Sequence, residues 1–125
     1  MPSRPSTRPL NLFLITNKKS QAKALPSIIY VSGQIPATAS GELVNGTIQE
    51  RTAQCIKNIK AILEEADSSL EKVVKVNVFL TDMKNFAPMN EEYAKWFTTK
   101  PARSCVAVYQ LPLGVEVEIE CIATP

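Results

Sequence analysis

Arg103 and Cys105 alternate with Ser104 and Val106 in the run RSCVAVY, and Glu116, Glu118 and Glu120 alternate with Val115, Val117 and Ile119 in VEVEIEC. Successive side chains of an extended chain point to opposite faces. Arg103, Cys105, Ala107 and Tyr109 therefore share one face of the first run, and the three glutamates share one face of the second. If the runs pair as an antiparallel hairpin across residues 110–114, apolar face matched to apolar face, Arg103 lies across from Glu118 or Glu120. A guanidinium beside carboxylates could fork around the carboxylate of a small substrate while a glutamate holds a water molecule. The same alternation also suits an amphipathic hairpin whose glutamates only keep one side wet, and the pattern alone leaves both readings open.

The rest of the composition narrows the chemistry. The 125 residues include no histidine, which removes the commonest general base, the commonest metal ligand and every Ser-His or Cys-His nucleophile. Cys55, Cys105 and Cys121 are far apart and form no C-x-x-C pair, so a zinc site has no support. With no base to activate it, Cys105 reads more readily as a small buried thiol than as a nucleophile. Catalysis would have to rest on Arg, Glu, Tyr, Cys or backbone groups. Fourteen Lys and Arg against twelve Asp and Glu leave a net charge of +2, too little for a nucleic-acid footprint. No apolar run approaches the ~20 residues that span a bilayer. Partners must therefore be sought in a site.

The elements that must position these residues follow from periodicity. Residues 28–32, IIYVS, are β-branched and aromatic and are closed by Gly33 and Pro36, which predicts a strand. Thr47 and Glu50 form a capping box, so a helix should begin at Ile48. Ile48, Cys55, Ile56, Ile59, Ile62, Leu63 and Ala66 then recur at helical spacing for about five turns. In VVKVNVFL, Val74, Val76, Val78 and Leu80 alternate with Lys75, Asn77 and Phe79, the period of a strand with one buried face. Asn85 is a plausible N-cap for a second helix, whose stripe is Phe86, Met89, Tyr93, Trp96 and Phe97. Residues 103–109 and 115–123 complete the chain as a hairpin. The order strand, helix, strand, helix, hairpin predicts an α+β single domain, a sheet with two helices on one face.

Six segments in order resemble the Rid/YjgF family, especially its fungal members: YVSGQIP (30–36), NIKAILEEA (58–66), VVKVNVFLTDM (73–83), FAPMNEEY (86–93), KPARSCVAV (100–108) and VEIECIA (117–123). The resemblance spans about residues 20–123. It implies a chorismate-mutase-like fold with a mixed sheet, assembled as a homotrimer around a central barrel with ligand clefts between subunits. The implied activity is hydrolytic deamination of the imino acids 2-iminobutanoate and 2-iminopropanoate, without metal or cofactor. By the same resemblance Arg103 grips the substrate carboxylate, Glu118 orients water, Cys105 lines the cleft, and Gly33 and Asn90 match further substrate-binding positions. A non-catalytic regulator, holdase or translation inhibitor is the alternative it carries.

The N-terminal residues depart from that pattern. Lys19 stands before Ser20-Gln21-Ala22 where the family usually has a tyrosine. Residues 1–20, with Arg4, Arg8, Lys18 and Lys19 and no acid, read as a variable basic segment ahead of a domain over 21–125. That composition fits a targeting peptide, although Pro2, Pro5 and Pro9 oppose the helix such peptides form. The expected compartment is the mitochondrial matrix or the cytoplasm.

Overall fold

The computed structural model of the protein describes residues 21–125. The basic leading segment, with Lys19 and the targeting reading attached to it, lies outside the described residues. The elements run β1 (Ala22–Ala24), β2 (Ile29–Gln34), α1 (Ile48–Glu65), β3 (Val73–Leu80), α2 (Phe86–Trp96), β4 (Ala102–Ala107) and β5 (Val117–Ala123). One sheet holds all five strands in the order β1-β2-β5-β3-β4. The β3–β4 pair is parallel and the others are antiparallel.

Alternation decides which face of that sheet is covered. Val117, Ile119, Cys121 and Ala123 of β5 and Val76, Val78 and Leu80 of β3 are buried against Cys55, Ile56, Ile59 and Leu63 of α1, Met89 and Tyr93 of α2, and Phe97 just after α2. Both helices thus cover one face, and the α+β expectation is met. Each fully buried side chain of this kind contributes ~1.5–3 kcal/mol. α1 begins where the sequence places it: Thr47 Oγ1 accepts from the Glu50 amide at 3.1 Å and the Glu50 carboxylate accepts from the Thr47 amide at 2.8 Å.

Three expectations are corrected. Residues 103–109 and 115–123 do not form a hairpin. β4 pairs in parallel with β3, Val76 beside Arg103 and Val78 beside Cys105, while β5 lies on the other side of β3 and also pairs with β2. β5 has a fully apolar covered face and gains most at the centre of the sheet. β4, with Arg103, Cys105 and Ala107 facing the helices, gives up little at the edge. The β3-α2-β4 unit is then the usual helical crossover between parallel strands. Val74 is 48% exposed and Val73 is buried instead, because an irregularity in the pairing of β3 with β5 lies between Val73 and Lys75 and shifts the alternation. Asn85 makes no side-chain cap; Asp82 caps the preceding 3₁₀ turn (Met83–Asn85), accepting from the Lys84 amide at 2.9 Å.

Candidate functional site

Five residues singled out in the sequence, Gly33, Asn90, Arg103, Cys105 and Glu118, are all half-buried. The fold sorts them into two groups on opposite faces of the sheet. Arg103 and Cys105 of β4 stand beside Val76 and Val78, on the helix-covered side with Asn90 of α2. Glu118 of β5 pairs with Phe79 and points to the helix-free face, beside Gly33. The expected sharing of one face by Arg103 and the glutamates is therefore overturned. It rested on a hairpin pairing that β3 interrupts.

The Arg103 group is built on α2. Phe86, Asn90 and Tyr93 are spaced four and three residues apart and fall on one helical stripe. Arg103 Nη1 donates to Asn90 Oδ1. The guanidinium carbon lies 4.6 Å from the Tyr93 ring centroid and 5.6 Å from that of Phe86, within cation–π range. Among the described residues no carboxylate pairs with Arg103. Burial raises the Cys105 thiol and the Arg103 charge only partly opposes it. Cys105 is thus a thiol, not a thiolate, which argues against a nucleophilic role.

The three glutamates differ: Glu118 and Glu120 of β5 point to the helix-free face, whereas Glu116 precedes the strand and reaches α1. Glu116 is paired with Arg51 at 3.0 Å. Glu120 accepts from Asn77 Nδ2 at 2.9 Å. Glu118 accepts no hydrogen bond among the described residues, and burial first, then the nearby Glu120, raises its carboxyl above its ordinary value. A carboxylate left unpaired and raised in this way is suited to taking and returning a proton. A Cβ added to Gly33 would meet the Glu118 side chain, 2.8 Å from Cδ and 3.1 Å from Cγ. Only glycine leaves the carboxylate its place there.

An open concavity of about 290 Å³ lies on the same helix-free face, lined by Lys23, Tyr30, Ser32, Lys75, Asn77 and Glu120 among others. It includes neither Arg103 nor Glu118. Among the described residues no group of three or more His, Cys, Asp or Glu could hold a metal ion, and no helix is long and apolar enough to cross a membrane. The sequence reading missed the contribution of Phe86 and Tyr93, which it assigned to the core. Their signal was the placement of Asn90 on the same stripe.

Comparison with known proteins connects this arrangement to a family. The family model described as endoribonuclease L-PSP matches residues 14–125. The chain belongs to that family, Rid/YjgF. Protein HMF1 of Saccharomyces cerevisiae is 54% identical over 105 residues, 83% of this chain and 81% of the relative. The mitochondrial protein MMF1 of the same yeast is 56% identical over 105 residues, 83% and 72% of the two chains. The crystal structure of yeast Mmf1 superposes with a TM-score of 0.82 at 55% identity, covering 86% of this chain and 87% of that one. The structure of Escherichia coli TdcF with bound serine gives 0.81 at 36% identity, with 85% and 87% covered. At these identities the Rid/YjgF fold is shared along nearly the whole described chain.

Proposed function

We propose that this Rid/YjgF protein hydrolyses 2-iminobutanoate and 2-iminopropanoate to the 2-keto acids and ammonia. The reaction would take place in a cleft made by two copies of the chain in a homotrimer. The observation that carries the reading is the Arg103 guanidinium, held by Asn90 and Tyr93 and left without an acidic partner among the described residues. Such a cation is ready for a small carboxylate, which its planar fork would engage through two N–H groups. A relative crystallised with serine, itself an amino-acid carboxylate, supports that ligand class.

Because Glu118 projects from the opposite face of the sheet, Arg103 and Glu118 can serve one substrate only if they come from different copies. Gly33 goes with Glu118, and Asn90 and Cys105 go with Arg103. Arg103 fixes the substrate carboxylate, which aims the iminium carbon. Water adds its oxygen to that carbon and gives a proton to Glu118, forming a carbinolamine. Glu118 returns the proton to nitrogen, the C–N bond breaks with its electron pair going to nitrogen, and the proton left on the carbonyl oxygen converts ammonia to ammonium. The iminium carbon is already electrophilic, so orientation and one positioned carboxylate, worth ~10²-fold or more, are sufficient.

The family's name speaks of ribonuclease action, but the net charge of +2 favours a small-molecule substrate over RNA. Relatives from two yeasts are named mitochondrial, which supports the matrix or the cytoplasm as the compartment. Residues 1–20 remain a proposed targeting segment. The test is a dehydratase reaction that releases the imine into semicarbazide. The protein should suppress semicarbazone formation in proportion to its concentration. Unchanged trapping at equimolar protein would refute the reading.

A further inference from the structure

We propose that Tyr93, assisted by Phe86, is a positioning residue that presents Arg103 to a carboxylate. This rests on the reading of Arg103 as the carboxylate clamp. Tyr93 is 7% exposed, and its ring packs on Phe97 with centroids 4.7 Å apart at 34°. The ring is thus held by the core around it. The Arg103 guanidinium carbon lies 4.6 Å from the Tyr93 ring centroid and 5.6 Å from that of Phe86.

A guanidinium over an aromatic face is weakly hydrated and keeps its N–H groups free along its own plane. Asn90 Oδ1 takes one of them. The remaining donors are left to a ligand, with the plane already set, so the clamp loses less freedom when the carboxylate arrives. The Tyr93 hydroxyl adds nothing to this. It is buried with no hydrogen-bond partner among the described residues, and burial pushes its pKa up to about 12. The ring face, not the phenol, does the positioning.

The experiment compares the full chain with Tyr93→Phe, Tyr93→Leu, Phe86→Leu, Arg103→Ala and the double variant Tyr93→Leu/Arg103→Ala. It reads imine hydrolysis, thermal melting and binding of 2-oxobutanoate by calorimetry. Tyr93→Phe should keep KM within about twofold of the parent, and it should melt no lower, since it removes an unsatisfied hydroxyl. Tyr93→Leu should raise KM and the 2-oxobutanoate Kd by roughly 3- to 30-fold with kcat little changed, because the loss falls on binding common to ground and transition states. Phe86→Leu should shift both the same way by less. In the Arg103→Ala background, Tyr93→Leu should still lower the melting temperature but leave kcat/KM unaltered. A merely structural role would instead give the same fold-loss in both backgrounds, and that result overturns the proposal. Tyr93→Phe as impaired as Tyr93→Leu overturns it too. If Tyr93→Leu does not fold, parental KM and Kd in Phe86→Leu overturn it. If Arg103→Ala itself keeps parental KM and Kd, the clamp reading falls first and this proposal with it. A large Arg103→Ala effect with none at Tyr93 or Phe86 removes only the positioning role.

Discussion

Gly33 and Glu118 are in such close contact across β2 and β5 that a methyl group on residue 33 would lie 2.8 Å from the Glu118 carboxyl carbon. The atoms it would meet belong to a flexible side chain, so Gly33→Ala should fold with little loss of stability. The carboxylate must move aside, however. We expect kcat for 2-iminopropanoate hydrolysis to fall at least tenfold while the melting temperature changes by a few degrees or less. Parental kcat in Gly33→Ala would show that the position of Glu118 does not matter.

The three glutamates should be unequal. Glu116 is tied to Arg51 and Glu120 to Asn77, so Glu116→Gln and Glu120→Gln should mainly perturb stability, by about 0.5 kcal/mol for the exposed Glu116. Glu118→Gln should abolish most turnover. Equal kcat losses at all three positions would contradict a unique role for Glu118.

The raised Glu118 carboxyl sets two pH dependences. In the proposed mechanism Glu118 takes the proton in its ionised form, so kcat/KM should decline as pH falls through a value above the ordinary carboxylate range. For stability the sign is reversed from the usual acid: the folded state holds this proton more tightly than the unfolded state, and stability is lost as pH rises through that window. Glu118→Gln should therefore melt above the parent at neutral pH, with the gap closing below the ordinary carboxylate pKa. A gap that widens on acidification would show that the carboxylate is stabilised in the fold.

Arg103 should respond to geometry as well as to charge. On the proposed carboxylate clamp, Arg103→Ala would remove one partner of a desolvated charged contact, a loss of ~2–5 kcal/mol, and should lower kcat/KM by roughly 30-fold or more. Arg103→Lys keeps the charge but not the fork and should fall between. Steady-state kinetics with parallel melts decide this, and an alanine variant as active as the parent sinks the clamp.

A cleft drawing Arg103 and Glu118 from different copies requires an oligomer. Light scattering should give three times 13.8 kDa. A stable monomer at micromolar concentration that still hydrolyses imines would exclude the shared cleft.

The sequence by itself determined the local elements and their faces. Thr47 and Glu50 place the start of α1, the helical stripe through Ile56, Ile59 and Leu63 identifies its buried side, and the alternation in β5 separates Val117, Ile119 and Cys121 from Glu118 and Glu120. Those signals are local, because helix and strand periods are written within a few residues. β1 was not legible: three residues are too few to show a period. The shift from Val74 to Val73 was hidden because an irregularity in strand pairing changes the alternation without a sequence mark of its own. Only the tertiary structure decided where β4 goes. A hairpin across 110–114 and a parallel partnership with β3 are equally compatible with the short loop. What separates them is the gain from placing the wholly apolar face of β5 at the centre of the sheet. That choice puts β3 between β4 and β5, turns Arg103 toward Tyr93 and Asn90, and leaves Glu118 on the far face beside Gly33. The residue types that could do the chemistry were visible in the sequence; their division between two faces depends on strand order, which is a property of the whole core.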